Sequence, residues 1–351
     1  MRNPTLQQLL GVQLPIIQAP MAGVQGSALA IAVSNAGGLG SLPCAMLGLD
    51  AMRNELVAIK TQTTQPFNAN FFCHVPPAPD AEREAFWRAA LAPYYAEFGI
   101  DSNTIPAGPG RLPFSAEIVQ ALGEFKPAVV SFHFGLPSAE LLAAVRSWGA
   151  KILSSATTVE EARWLEAQGV DAIIAQGLEA GGHRGVFLSD ELSTQVGTFA
   201  LLPQIVRAVR VPVIAAGGIA DSKGVAAAMA LGAAGVQLGT AYLLCPEATT
   251  SAVHRAALGS EAAHHTALTN LFTGRPARGI VNRIMRELGP ISAAPPAFPL
   301  ATAAIAPLRA KAESQGSGDF SPLWSGQNAG GCKAIPAAEL TRRLAAELHA
   351  P

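Results

Sequence analysis

Charge is scarce in this chain: 14% of its 351 residues are Asp, Glu, Lys or Arg, and 24 basic against 25 acidic side chains leave a formal net charge of -1. With no basic surplus to meet a phosphate backbone or an anionic membrane surface, nucleic-acid and membrane-surface partners are excluded. Cysteine is scarce too. Cys44, Cys73, Cys245 and Cys332 stand far apart, with no C-x-x-C pair and no Cys/His spacing suited to zinc. That excludes disulfide and zinc frameworks, predicts no metal site and fits a reducing compartment. No uninterrupted apolar run nears the ~18 residues that span a bilayer, and the opening MRNPTLQQLLGVQLP lacks the apolar core of a signal peptide. The expectation is a soluble cytoplasmic protein. Half the residues are apolar and 34 are glycine, enough to bury a large core, so disorder is excluded as the main state.

From about residue 14 to 245 one theme recurs: a short apolar run, a Gly-rich or polar break, then a stretch with helical spacing. The runs are LPIIQAP (14–20), GLGSLP (38–43), PFNANFF (66–72), AVVSFHFG (128–135), KILSSATT (151–158), AIIAQG (172–177), VPVIAAGG (211–218) and GVQLGTAYL (235–243). Segments such as SALAIAVSNAG and VEEARWLEAQGV between them carry apolar residues at three- and four-residue spacing. Strands this apolar, joined by single helices, are parallel and buried on both faces. Eight repeats predict an α/β fold, a (β/α)₈ TIM barrel over residues 1–245, with a doubly wound sheet as the other arrangement the pattern allows. Residues 73–127 are too long for one turn and one helix, and read as an insertion beyond the third strand. Residues 246–351 read as a mainly helical appendage covering the barrel mouth.

The last two strands end in Gly217, Gly218, Gly239 and Thr240. Glycine lets main-chain N–H groups approach an anion, a helix N-terminus adds a favourable dipole, and Thr240 adds a hydroxyl, so the pair of loops predicts a phosphate site. In AIIAQGLEAGGHRGVF (172–187) Gln176 closes a strand and glycines present His183 over the pocket, where imidazole can exchange a proton near neutral pH. Arg184 is expected to face solvent or pair with Glu179. His133 ends the fourth strand, as a core histidine or a pocket group. Asn68 and Asn70 alternate along the third strand and so share its inner face. Asn70, nearer the strand end, is the better ligand contact.

Other chemistries lack their residues. None of the six lysines ends a predicted strand, which leaves a Schiff-base aldolase unsupported. Carboxylates are too few at those ends for a metal-held enolate or a glycosidase pair, and no G-x-S-x-G elbow occurs. A barrel with a phosphate site, inward amides and one presented histidine needs its chemistry from a cofactor, and FMN fits.

IIQAPMAG, SNAGGLGS, FNANFFCH, SFHFG, AQGLEAGGHRG, AAGGIAD, VQLGTAYLLCPE and LWSGQ (323–327), in this order over nearly the whole length, resemble the bacterial nitronate monooxygenases, once called 2-nitropropane dioxygenases. The resemblance implies an FMN-containing barrel that oxidises alkyl nitronates with O₂ to carbonyl compounds and nitrite. Carried over by position, it implies FMN contacts at Met21, Ala22, Gly23, Asn70, Gln176, Gly181, Gly218, Gln237, Leu238, Gly239 and Thr240. It makes His183 the active-site histidine and His133 a second pocket histidine. Related barrels act as NAD(P)H:quinone reductases and flavin-dependent enoyl-ACP reductases, and a flavin-binding protein without turnover is a further alternative. The chain departs from the family at the substrate side. APPAFPLATAAIAPLR (294–309) has neither the tyrosines nor the lysine expected there, and His254 stands where a tyrosine is expected.

Overall fold

A computed structural model describes residues 5–105 and 111–349; residues 106–110, inside the expected insertion, lie outside the described residues, as do both ends of the chain. Along the described residues run the strands β1 (Ile16–Gln18), β2 (Gly40–Pro43), β3 (Phe67–Phe72), β4 (Val129–His133), β5 (Lys151–Ala156), β6 (Ala172–Gln176), β7 (Gly182–His183), β8 (Val213–Ala216), β9 (Gly235–Leu238), β10 (Thr266–Thr269) and β11 (Ala277–Ile280). Eight of them form one parallel sheet in the order β1-β9-β8-β6-β5-β4-β3-β2. A parallel bridge between Ile17 and Leu39 sets β1 beside the start of β2 and closes the barrel.

Each of the first seven barrel strands is followed by a helix of the outer ring, with Ala81–Phe98 as an additional one after β3. Four of them start on side chains that accept a first-turn N–H: Ser115, Ser138, Thr158 and Asp221. The eighth comes from the far end of the chain. Ala337–Leu344 packs against the helices Ser27–Asn35 and Ser222–Ala230, and Thr341 meets the buried Tyr242 hydroxyl at 2.9 Å. The tail therefore does not all lie over the mouth.

Alternation along the strands stratifies the interior. Ile17, Val129, Leu153, Ala172 and Ile214 pack with the short helix Leu6–Leu10 and fill the lower half. One step further along the same inner faces, Ser131, Ser155, Gln176 and Gln237 are polar, and they line a cavity at the strands' C-terminal ends.

A second core joins the insertion to the tail. Trp87, Leu91 and Tyr95 of the helix Ala81–Phe98 pack against Ile305 and Leu308 of Thr302–Ser314 and against Phe272, Ile284 and Phe320. The tail is also less helical than its sequence suggests, because β10 and β11 pair antiparallel and β11 pairs with β7. No helix among the described residues is long and apolar enough to cross a membrane.

Candidate active site

The cavity encloses about 1330 Å³ with its mouth included. Of the residues expected to hold a cofactor, Met21, Ala22, Asn70, Gln176, Gly181, Gly218, Gln237, Leu238, Gly239 and Thr240 all line it, with His183 and His133. Gly23 does not. It sits at φ 86° in the turn between Ala22 and Val24, both of which do line it.

Backbone dominates the wall beneath β8 and β9. Gly217 and Gly218 adopt φ of 116° and 72°, the left-handed region that side chains disfavour. A Cβ on Gly181 would stand 2.5 Å from the Gly326 nitrogen. The tail closes over these loops: Asn328 donates to the Gly218 carbonyl at 2.9 Å, and the Gly326 N–H donates to Thr240 Oγ1 at 2.9 Å, which leaves the Thr240 hydroxyl proton for the cavity. At the start of the helix after β8, Asp221 accepts from the Gly224 N–H at 2.8 Å, which occupies one of the free N–H groups there.

The amides on β3 divide as their positions suggest. Asn68 donates to Ser41 and Ser131, deep in the barrel, at 3.0 and 2.8 Å. Asn70 donates to Ser131 Oγ at 2.9 Å and lines the cavity, which Asn68 does not, although the buried Asn68 Oδ1 has no hydrogen-bond partner. Gln237 Oε1 is buried with no hydrogen-bond partner, an acceptor waiting for a donor in the cavity.

His183 is held by its backbone, and its ring lines the cavity. Strand β7 pairs it with Ala277, and its carbonyl accepts from Gln176 Nε2 at 3.0 Å and His133 Nε2 at 3.2 Å. Because a carbonyl only accepts, His133 carries its proton on Nε2, and Nδ1 then accepts from the Ser155 hydroxyl at 3.0 Å. Both His133 nitrogens are thus committed to positioning the His183 loop. Arg184 neither faces solvent nor pairs with Glu179. It is fully buried and donates to the carbonyls of Gln176 and Gly177 and to Gln195 Oε1, tying the loop to the end of β6. Planar, rigid donors make arginine suited to such a knot, which a pattern search cannot tell from a surface cation.

The His183 imidazole meets Thr273 Oγ1 at 2.9 Å. Around it stand Phe298, Trp324, Phe134 and Phe72, with ring centroids 5.3, 5.6, 6.0 and 6.1 Å away. Arg275 stacks over Phe134 at 4.1 Å. Burial, reinforced by the positive charge of Arg111 and Arg275 and by neighbouring histidines, holds His183 well below the usual imidazole pKa, and burial pushes His133 down to about 3. The site keeps its histidines neutral and its overall field positive.

His254 lines the same cavity, buried, with Nε2 unpartnered. Burial lowers its pKa from 6.5 to about 4, against a main-chain hydrogen bond at Trp324. In that interval the unfolded chain binds a proton at this position and the folded one does not, so stability falls as pH drops from about 6.5 towards about 4. Denaturant titrations at successive pH values should show His254→Phe flattening the acid limb by about 1.4 kcal/mol per pH unit. An unchanged slope would show that His254 is charged in the fold.

A family model described as nitronate monooxygenase matches residues 3–347 of the chain. The chain belongs to the nitronate monooxygenase family. It is 46% identical over 349 residues to a nitronate monooxygenase of Paraburkholderia phytofirmans, covering 98% of this chain and 94% of that one. It is 44% identical over 345 residues to one from Pseudomonas aeruginosa, covering 97% and 98%. Among solved structures it is similar to a nitroalkane oxidase from Streptomyces ansochromogenes, with TM-score 0.89, 40% identity, and 98% of this chain and 97% of that one covered. It is also similar to FabK from Thermotoga maritima, with TM-score 0.70, 26% identity, and 98% and 96% covered.

This member of the nitronate monooxygenase family brings to the cavity two groups to which sequence reasoning gave no role. Arg111 sits in a Pro/Gly-rich connector without periodicity, and Trp324 in a loop of the tail. LWSGQ already marked the second; nothing local marked the first.

Proposed function

We propose that the chain oxidises alkyl nitronates with O₂ to carbonyl compounds and nitrite, using FMN, in the cytoplasm. The observation that carries this reading is a glycine-walled cradle, with the orphaned Gln237 Oε1 beside it, opening onto a neutral histidine in a positive, aromatic pocket. Gly181, Gly217, Gly218, Gly239 and Thr240 would hold the phosphate. Asn70, Gln176 and Gln237 offer amides to the polar edge of the ring, and Met21 and Ala22 apolar contact. When bound, FMN supplies the acceptor for the substrate's electrons and their route to O₂.

The protein's own part is binding and proton handling. The Thr273 hydroxyl lies 3.4 Å from the Arg275 carbonyl, to which it donates, so it accepts from His183 Nε2–H. That leaves Nδ1 as the basic atom of His183. A nitronate needs no deprotonation; a neutral nitroalkane would lose its α-proton to Nδ1, and the positive field favours the anion left behind. Phe72, Phe134, Phe298 and Trp324 exclude water from the reacting carbon.

Anaerobic addition of a short-chain nitronate to the purified protein should bleach a flavin spectrum, and admission of O₂ should restore it with release of nitrite. The likeness to FabK supports a reductase as the second reading. Bleaching by NADH and not by nitronate would select it.

A further inference from the structure

Arg111 is the one formally charged side chain among the described residues that line the cavity. Its guanidinium makes no ion pair and no hydrogen bond to any described residue. What surrounds it is the Phe298 ring, 5.8 Å from the guanidinium carbon, and the like charge of Arg309. The other cations near the site are employed differently: Arg184 is saturated by carbonyls and Gln195, Arg278 donates to the Leu178 carbonyl at 2.9 Å and to Thr266, and Arg275, whose buried Nε has no partner, stacks over Phe134 and donates to the Val186 carbonyl. A half-buried guanidinium with no acceptor among the described residues is costly unless an anion completes it.

The segment is held, not loose. His74 Nε2 donates to the Arg111 carbonyl at 3.0 Å, and its ring packs edge-on against Phe298 at 4.9 Å. Three residues on, the Phe114 N–H donates to the Phe72 carbonyl at the end of β3, at 2.9 Å. Among charged groups, Arg111 also weighs most on His183, so both face one volume.

Resting on the nitronate reading above, we infer that Arg111 receives the anionic nitro group of the substrate. The group's two oxygens are coplanar, like those of a carboxylate, and match the fork of a guanidinium. The aromatic box then takes the alkyl part, and His183 the side where the carbon reacts.

The test uses the holoenzyme and two variants, Arg111→Met and Arg111→Lys. Steady-state kinetics are measured with a nitronate and with its parent nitroalkane, and calorimetric titration with nitrate, a planar anion that cannot react. Arg111→Met should raise the nitronate KM and the nitrate Kd about 10- to 100-fold, with kcat and the nitroalkane KM changed less than about threefold. Arg111→Lys should recover part of both losses, since it restores charge without the fork. An unchanged nitrate Kd in Arg111→Met, with nitronate turnover intact, would overturn the role of Arg111 alone. So would an equal rise in KM for the neutral nitroalkane, which would mean lost packing. Absence of nitronate turnover in the unaltered holoenzyme would instead sink the nitronate reading, and the substrate named here with it.

Discussion

Replacing His183 by Asn should lower kcat/KM for a neutral nitroalkane by roughly 10²- to 10⁴-fold, and cost clearly less with the preformed nitronate. The reasoning follows the proton. Asn can keep a hydrogen bond to Thr273, whose oxygen lies 2.9 Å from the imidazole, but it cannot take up a proton. Backbone placement should survive, because the bonds from Gln176 and His133 reach the carbonyl of residue 183 and not its ring. The depressed basicity of His183, caused first by burial and then by nearby cations, does not disqualify it as the base, since those cations also stabilise the nitronate formed by deprotonation. Steady-state assays with both substrate forms decide the matter. Equal losses would make His183 an anion-positioning group. No loss with either would move attention to His254, because His133 has both nitrogens committed.

Gly218→Val should leave a folded protein that purifies with less than about a tenth of its flavin. At φ 72° a β-branched residue is strained, and relief of about 1–3 kcal/mol of strain by moving the loop out of the cradle would weaken binding roughly 5- to 150-fold. The new side chain would start 3.4 Å from Glu179 Cβ, on the loop that also carries Gly181. The Gly218 carbonyl, held by Asn328, has little freedom to turn away. The flavin-to-protein absorbance ratio measures occupancy, and acid extraction with chromatography should identify FMN in the unaltered protein. Full occupancy in the variant would place the phosphate elsewhere, and FAD in the extract would require a site for an ADP half.

The barrel was legible in the sequence because its signal is local: each strand is an apolar run bounded by glycine or polar residues, and each helix has its own spacing. Asn70, His183 and the Gly217–Gly218 pair were legible for the same reason, standing at the ends of such runs. Strands β7, β10 and β11 were not. GH, TALT and ARGI are too short and too mixed to alternate, and they pair only because the tail folds back on the β6 loop. Arg184 was misread because burial of a cation depends on carbonyls that only the folded loop turns towards it. Arg111 was missed because its place in the cavity wall, with no acceptor among the described residues, is a property of three-dimensional surroundings alone.

The helix Ala337–Leu344, wedged between the helices Ser27–Asn35 and Ser222–Ala230, has a consequence for biosynthesis. As the chain leaves the ribosome, all eight barrel strands emerge by residue 238, yet the ring of helices around them still has a gap. The faces of Ser27–Asn35 and Ser222–Ala230 that flank the gap stay wet until about a hundred further residues have been made. Over that interval the nascent barrel presents an apolar slot that a chaperone, or another unfinished copy, can occupy. Translational pauses in the stretch that encodes the tail should therefore favour aggregation more than pauses within the barrel itself.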